Sequence, residues 1–156
     1  MTASGRAATL EIRLLAAIPL ARAMQVRIMD FDGERIRLEA PLAPNINDKG
    51  TGFAGSLATL VTLSGWCLAT LVGETDGIPC EVAVYRSELD FLRPVRELLR
   101  AEAWLDGSSV ADKVQSRLRM SARAKLPVRA RLGPEDDPAV LFSGNYAVWR
   151  VGTQPF

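Results

Sequence analysis

The residues best suited to chemistry stand together, just before and at the start of the longest uncharged run in the sequence. Asn45 and Asn47 precede the run of residues 51–73, which contains no charged residue. Amide side chains are neutral hydrogen-bond donors. A helix beginning in this run would add unpaired backbone N–H groups at Gly55 and Ser56, together with the positive end of its dipole. Donors of this kind stabilise an oxygen atom that gains negative charge during a reaction.

Acid–base chemistry has few candidates in this chain. The sequence contains no histidine, which excludes Ser-His and Cys-His nucleophile pairs, imidazole bases and histidine metal sites. Asp48 is the only acidic residue near the two asparagines and is therefore the candidate base for directing water. The order Asp48-Lys49-Gly50 is more often typical of a turn. Both roles stay open for Asp48, and no metal or cofactor is predicted.

The uncharged run predicts a buried helix over about residues 55–72. Its many small and hydroxyl-bearing residues make it less hydrophobic than a membrane span, and a helix without charge must be covered on nearly every side. One face carries hydroxyl groups, which either line a cleft or subunit boundary or bond to carbonyls one turn back in the helix. The members of that face are Ser56, Thr59, Thr62, Trp66 and Thr70.

The rest of the chain predicts an α+β fold in which an antiparallel sheet of about six strands wraps around this helix. Alternating apolar and charged residues on either side of Asp32-Gly33 indicate a hairpin. An amphipathic helix is predicted over residues 9–24, and a shorter one from Ser109 to about Met120. The predicted strands are residues 26–31, 35–40, 80–89, 98–105, 122–132 and 140–151.

Length and composition predict one cytoplasmic domain over residues 1–156. The two cysteines, Cys67 and Cys80, form neither a disulfide framework nor a metal-ligand spacing. Glu11 and Arg13 interrupt the N-terminal apolar stretch that a signal peptide would need. No membrane span is predicted.

The phrase Asn47-x-x-Gly50-Thr51-x-Phe53-Ala54-Gly55-Ser56 resembles the hot-dog-fold acyl-thioester enzymes, many of which have asparagine, then Gly-Thr, then His-Gly-Gly at these places. Phe53 stands where that histidine would be, and Ala54 replaces the first glycine of the pair. Residues 43–51 and the later Phe91-Leu92-Arg93-Pro94 are similar to a smaller subfamily, often labelled "putative thioesterases" (YiiD C-terminal-like). That subfamily includes stand-alone malonyl-acyl carrier protein decarboxylases. The resemblance covers nearly the whole chain.

The resemblance implies a single hot-dog domain that forms at least a homodimer and acts on a thioester of acyl carrier protein or coenzyme A. Decarboxylation of malonyl-acyl carrier protein is the leading implication, because it needs enolate-stabilising donors and a poorly hydrated pocket but no base. Thioester hydrolysis is the alternative. The family's helical carboxylate would fall near Thr62, however, and threonine cannot act as a base. A carrier-binding module without chemistry is the third hypothesis, kept open by Phe53 and Ala54.

Residue roles follow from this hypothesis. The candidate catalytic residues are Asn45, Asn47, Thr51, Gly55 and Ser56. The candidate substrate-binding residues are Asp48, Phe53, Thr62, Trp66 and Arg93. Ordinary turn or capping work remains the alternative role for both asparagines, since asparagine often serves that purpose.

Seven basic residues and no acidic one lie between Lys113 and Arg131. Arg123, Lys125, Arg129 and Arg131 fall at alternating positions and therefore share one face of the predicted strand. Such a row is typical of a solvated sheet surface, but it also suits docking of an acidic carrier protein or of coenzyme A phosphates. Nucleic acid is not predicted as a partner, because the net charge is only +1 and no aromatic residues interleave with the basic ones.

Overall fold

The computed structural model describes residues 1–154, in which six strands form one antiparallel sheet. Across the sheet the strands lie in the order β1-β2-β4-β5-β6-β3. The predicted α+β class and the number of strands are confirmed, and residues 155 and 156 of the predicted domain lie outside the described part. The strands are β1 Arg27–Phe31, β2 Arg35–Ala40, β3 Cys80–Phe91, β4 Leu99–Leu105, β5 Arg123–Leu132 and β6 Val140–Arg150.

The predicted first helix over residues 9–24 is in fact two helices. Ile18 between them is extended (φ −117°, ψ 96°), and Pro19 opens the second helix. Proline has no N–H to donate and disfavours helical geometry at the preceding residue, whereas the first position of a helix accepts it readily. The helices of the described chain are α1 Ala3–Ala17, α2 Pro19–Ala23, α3 Ala54–Gly73 and α4 Val110–Ser121, with a 3-10 turn at Ala43–Asn45.

Helix α3 lies across the inner face of the sheet and contacts β2 to β6. Along β5, buried inner residues alternate with outward-facing ones, so this strand presents an apolar row to the helix. Helix α3 has 20 residues and a mean hydropathy of 1.6, so by length and composition alone it could cross a membrane. However, 67% of its apolar stretch is buried inside the protein. The prediction of a buried core helix over residues 55–72 is therefore confirmed.

A glycine in the middle of α3 admits a large side chain from the sheet. The hydroxyl group of Tyr146 donates to Thr62 O (2.7 Å), and a Cβ atom at Gly65 would lie 2.2 Å from that hydroxyl oxygen. Tyr146 is 0% exposed, and its burial raises the pKa of the phenol. Gly65 thus allows the helix and the sheet to approach closely.

Strand β3 is an edge of the sheet and is exposed along most of its length. Val84, Tyr85, Phe91 and Leu92, on β3 and just after it, are between 39% and 54% exposed. Long apolar edges are uncommon on isolated subunits, because they offer unpaired backbone groups to another strand. This edge therefore has the character of an interaction surface.

The C-terminal end of α3 is held by three side chains from distant parts of the chain. Arg6 donates to Leu71 O and Gln115 to Val72 O. Arg150, which is 8% exposed, donates to Gly73 O (3.1 Å) and pairs with Asp76. These donors satisfy carbonyls that have no partner within the helix.

Candidate active site

The N-terminal turn of α3 is uncapped. Phe53 occupies the N-cap position without a side-chain cap bond, and the first helical bond runs from Leu57 N–H to Phe53 O (3.0 Å). Within residues 1–154, the N–H groups of Ala54, Gly55 and Ser56 have no hydrogen-bond acceptor. The positive end of the helix dipole adds to their attraction for negative charge. This turn is therefore a set of three free donors suited to an anionic oxygen.

The ring of Phe53 borders these donors. Backbone bonds from Phe53 N–H to Asn45 O and from Gly52 N–H to Val95 O, both 2.7 Å, fix the chain just before the helix. Phe53 is 53% exposed, and its ring lies against Gly55, where a side chain would collide with it. Phe53 thus forms an apolar wall beside the helix terminus, as its predicted role in substrate binding requires. Substrate binding by Phe53 stays a prediction.

Asn45 anchors the fold rather than offering hydrogens to a ligand. Its Nδ2 donates to Met24 O (3.0 Å) and to Pro41 O (2.7 Å), and the residue is only 1% exposed. An amide nitrogen carries two hydrogens, and both are used here. The predicted donation from Asn45 to a thioester oxygen therefore has no hydrogen left to make it, and the capping alternative describes this residue better.

Asn47 organises the turn that leads to α3. Its Oδ1 accepts from Lys49 N–H (2.9 Å) and Thr51 N–H (3.0 Å), while its Nδ2 donates to Thr51 Oγ1 (2.9 Å) and more weakly to Gly52 O (3.4 Å). This is local turn chemistry, the alternative that the sequence left open. Thr51 Oγ1 accepts from Asn47, and no acceptor for its hydrogen lies within bonding distance in residues 1–154. The Thr51 hydroxyl, in a residue that is 7% exposed, is thus a side-chain donor of this loop that has no partner in the described chain.

Asp48 is oriented toward solvent. Its side chain is 79% exposed and pairs with Lys49 Nζ (2.9 Å). The pair is exposed on both sides and contributes little to stability. This position fits the turn role better than a desolvated base.

The acidic residues of the strands all lie on the outer face of the sheet, away from α3. Register places Glu102 beside Arg37 and Arg131, and places Glu88 beside Ser143, on the face opposite the buried residues. No acidic residue therefore reaches the helix side from the described strands. The outer-face acids are Asp30, Glu39, Glu81, Glu88, Asp90 and Glu102.

The three threonine hydroxyl groups of α3 bond within the helix. Thr59 donates to Gly55 O, Thr62 to Ala58 O and Thr70 to Trp66 O, each at 2.8 Å. The back-bonding alternative is therefore what the structure shows. Thr59, Thr62 and Trp66 are nevertheless only partly buried, so this face is incompletely covered within one subunit. Trp66 Nε1 donates to Val82 O (3.1 Å), which places the indole ring beneath β3.

Neither cysteine is a candidate nucleophile. Cys67 and Cys80 are free and buried, and burial raises the pKa of both thiols. A raised pKa keeps a thiol in its unreactive neutral form.

Arg93, in the segment between β3 and β4, makes its side-chain contacts with the loop between β5 and β6. It donates to Asp137 O from Nε (3.0 Å) and Nη2 (2.7 Å), and so braces the loop between β5 and β6. It also lines a cavity of about 800 Å³ on the outer face of the sheet. The segment that contains Arg93 also contacts the chain just before α3, because Val95 O accepts from Gly52 N–H. Substrate binding by Arg93 stays a prediction.

The four basic residues of β5 lie on one face of the strand, as predicted, but they differ in their charged partners. Arg129 pairs with Asp106 (3.1 Å), and Arg131 pairs with Glu102 (3.3 Å). Lys125 lies 5.4 Å from the centre of the Tyr85 ring. Arg123 has no ion pair among the described residues. Arg123 is therefore the member of the row whose charge is not offset by a carboxylate in the described chain.

Sequence reasoning did not single out Lys113 and Arg117 as site residues. Both lie on α4 and line a groove that they share with Arg123 and Lys125. Their spacing of four residues on one helix face was the available signal. It could not reveal which strand the helix would face.

A sheet wrapped around one long helix, with free backbone donors at the N-terminus of that helix, defines the class of hot-dog acyl-thioester proteins. The chain belongs to the family described as "Putative thioesterase (yiiD_Cterm)", whose model matches residues 7–150. The predicted fold and family are thereby confirmed. Membership supports action on acyl thioesters.

Solved structures show the same architecture. A putative thioesterase from Shewanella oneidensis is 25% identical over 92% of this chain and 96% of its own, with a TM-score of 0.82. A protein of unknown function from Chlorobaculum tepidum is 26% identical over 92% of this chain and 94% of its own, with a TM-score of 0.83. A probable thioesterase from Pseudomonas aeruginosa, 22% identical over 92% of this chain and 95% of its own, has a TM-score of 0.72 and supports the fold alone.

Proposed function

We propose that this protein binds an acyl thioester with its carbonyl oxygen at the N-terminus of α3. The observation that carries the proposal is the uncapped first turn, where Gly55 and Ser56 present N–H groups without acceptors in the described chain. Preorganised donors of this kind lower the energy of any step that places negative charge on the thioester oxygen. The Thr51 hydroxyl is a further donor in the adjoining loop.

Decarboxylation of a malonyl thioester is the reaction that this geometry favours. The bond between the carboxylate and the α-carbon breaks, its electron pair forms the thioester enolate, carbon dioxide leaves, and the α-carbon then takes a proton from water. This sequence requires stabilisation of the enolate oxygen but no nucleophile. The outward direction of the strand acids supports it, because none of the described strands places a candidate base on the helix side of the sheet.

Thioester hydrolysis is the second candidate. It is favoured by the names of the family and of the relative from Shewanella oneidensis. Water must then be directed at the carbonyl carbon, and Asp48 is the acidic residue of the loop that could do so. The weakness of this candidate is the exposed position of the Asp48 carboxylate.

The carrier of the thioester is proposed to be acyl carrier protein or coenzyme A, and the active assembly is proposed to be a homodimer in the cytoplasm. The partly buried face of α3 and the exposed edge of β3 support subunit pairing beside the helix. A binding module without chemistry remains the outcome if neither reaction occurs.

One assay separates these functions. Malonyl and long-chain acyl thioesters of both carriers are incubated with the protein, and carbon dioxide and free thiol are followed. Decarboxylation releases carbon dioxide without free thiol, hydrolysis releases free thiol without carbon dioxide, and a binding module leaves both substrates unchanged. Asp48→Asn should leave decarboxylation nearly unaltered, whereas it should abolish hydrolysis that uses this base.

The donors are tested by proline substitution, which removes one backbone N–H at a time. First-turn N–H groups make no bond within the helix, so their loss does not break the helix ladder. Ser56→Pro should lower the rate by about a hundredfold, the scale seen when one oxyanion donor is lost. Ala54→Pro is the control, because it removes the one first-turn N–H to which the proposal assigns no contact with the thioester oxygen, after a residue, Phe53, that is already extended. Equal loss in both variants, at unchanged melting temperature, would contradict the assignment to Gly55 and Ser56.

A further inference from the structure

A groove of about 890 Å³ runs between α4 and β5 on the outside of the protein. Lys113 and Arg117 line it from the helix, and Arg123 and Lys125 line it from the strand. Its remaining lining residues are small or apolar apart from one serine, and none is acidic: Val110, Val114, Ser121, Ala124 and Pro127. The groove therefore combines an apolar floor with four positive charges.

Three of these four charges, those of Lys113, Arg117 and Arg123, differ from their neighbours on β5 in having no carboxylate partner in the described chain. Arg129 and Arg131 have carboxylate partners in Asp106 and Glu102. Lys113, Arg117 and Arg123 have no ion pair within residues 1–154. Surface charges of one sign that are left together attract a partner of opposite sign and speed its association.

The spacing of the charges suits an acidic helix. Lys113 and Arg117 are four residues apart on a helix, which places such side chains about 5–6 Å from each other. Arg123 and Lys125 are two residues apart on a strand, which corresponds to about 6.6 Å along its axis. Carboxylates three or four residues apart on a partner helix have the same 5–6 Å spacing. The apolar floor can then receive the apolar side of that helix.

A nucleotide fits the same groove less well. Its lining contains no aromatic ring on which a base could stack, and Ser121 is its one neutral hydroxyl. Single-stranded nucleic acid also relies on stacking platforms between basic residues. The distribution of charge over two elements favours an extended acidic protein surface.

We propose that the groove between α4 and β5 docks an acidic amphipathic helix of the protein that carries the thioester. This inference rests on the proposed function, because it assigns the docking surface for that substrate. It moves the docking role from the whole basic row of β5 to its Arg123 end and adds Lys113 and Arg117 of α4. Arg129 and Arg131 are excluded because their charges are already paired.

Binding is measured with fluorescently labelled acyl carrier protein that lacks its pantetheine arm, so that only the protein surface is sampled. Arg117→Glu and Arg123→Glu should each weaken binding by about tenfold or more at low ionic strength, with a smaller difference at high salt. Arg119→Glu is the matched control. It makes the same change of charge on α4, but Arg119 is exposed and outside the groove lining. It should leave the affinity within about twofold, since a charge off the contact surface acts only through screened long-range attraction.

Separate binding measurements distinguish a carrier protein from other possible occupants of the groove. Coenzyme A and a single-stranded oligonucleotide are tested for binding to the same proteins. The proposal would be overturned if one of them bound to the wild type but not to the two variants, while the carrier protein bound equally to all three. Equal carrier binding by wild-type, Arg117→Glu and Arg123→Glu proteins would also overturn it. Turnover of a small pantetheine thioester should be unchanged in both variants. If that turnover is absent even in the wild type while carrier binding is as expected, the proposed function fails and the docking surface stands.

Discussion

The ring of Phe53 and the α-carbon of Gly55 are so close that a Cβ atom on the glycine would lie 2.4 Å from Phe53 Cε1. The two residues flank the free N–H groups of the first turn of α3. A side chain at position 55 would push the ring aside, because Phe53 is half exposed and can move whereas the helix backbone cannot. The position of the ring, and with it the access of water to the donors, therefore depends on this glycine.

Gly55→Ala should lower the turnover rate by about tenfold without lowering stability. Alanine favours a helix over glycine by up to about 1 kcal/mol, so the melting temperature should be equal or higher. The loss of rate arises from the displaced ring, which no longer excludes water from the thioester oxygen. In a Phe53→Ala background the additional effect of Gly55→Ala on rate should vanish, since the collision has been removed. Additive losses in the double variant would contradict this coupling.

Asn45→Asp should destabilise the protein by about 3 kcal/mol or more. The change replaces an amide that donates to Met24 O and Pro41 O by a buried carboxylate facing the same two carbonyls. Urea unfolding measures the loss. Asn47→Asp is the control: its Oδ1 continues to accept from Lys49 and Thr51 in an exposed loop, so the cost should stay below about 1 kcal/mol. Similar costs for both variants would contradict the anchoring role of Asn45.

Much of this fold could be predicted from the sequence, because burial has a simple periodic signature. The uncharged run and the alternation on either side of Asp32-Gly33 located α3 and the first hairpin within one residue of their bounds. The break at Pro19 was missed because the apolar spacing continues across it. Pro19 was itself the available signal, because proline disfavours helical geometry at the residue before it.

The candidate site was less predictable, because residue type does not reveal bonding partners. Asn45 and Asn47 occur in the same phrase, yet one ties the loop to Met24 and the other shapes the turn around Thr51. These partners are decided by how the chain returns on itself. The free N–H groups of α3 could be anticipated, because every helix leaves its first turn unpaired.

The ion pair of Asp76 with Arg150 should make stability depend on pH in the acid range. Burial acts to raise the pKa of Asp76, but the Ile78 N–H and the charge of Arg150 outweigh it and hold that pKa below its usual value. A lowered pKa in the folded state stabilises the protein above the unfolded pKa of about 3.9, and this contribution is lost as the pH falls through the folded value.

Urea unfolding of the wild type and of Asp76→Asn tests this linkage. The difference in free energy of unfolding should be constant between about pH 6 and 8 and should shrink below about pH 4. Glu135→Gln, an exposed carboxylate without an ion pair in the described chain, is the control and should show little difference at any pH. A difference for Asp76→Asn that grows on acidification would contradict the sign of the pKa shift.

Val84→Lys should convert a dimer into monomers if β3 is the edge through which subunits pair. Val84 is 39% exposed on the helix side of that edge strand, opposite Tyr146, and a lysine there would be buried against the partner subunit. Light scattering measures the mass, and activity should fall together with it. Ser143→Lys on the outer face of β6, an exposed position of the same sheet, should leave the mass unchanged. A monomeric wild-type protein at micromolar concentration would exclude this assembly.

The bonds at the C-terminal end of α3 also set an order of events during protein synthesis. Arg6 leaves the ribosome before the helix, but Gln115 and Arg150 follow it by 42 and 77 residues, counted from Gly73. Until β6 has emerged, the most apolar segment of the chain lacks both its last hydrogen-bond donor and the strand that carries Tyr146. The helix is therefore incompletely covered until β6 has been synthesised. Chaperones that recognise uncharged segments would meet this protein at residues 54–73.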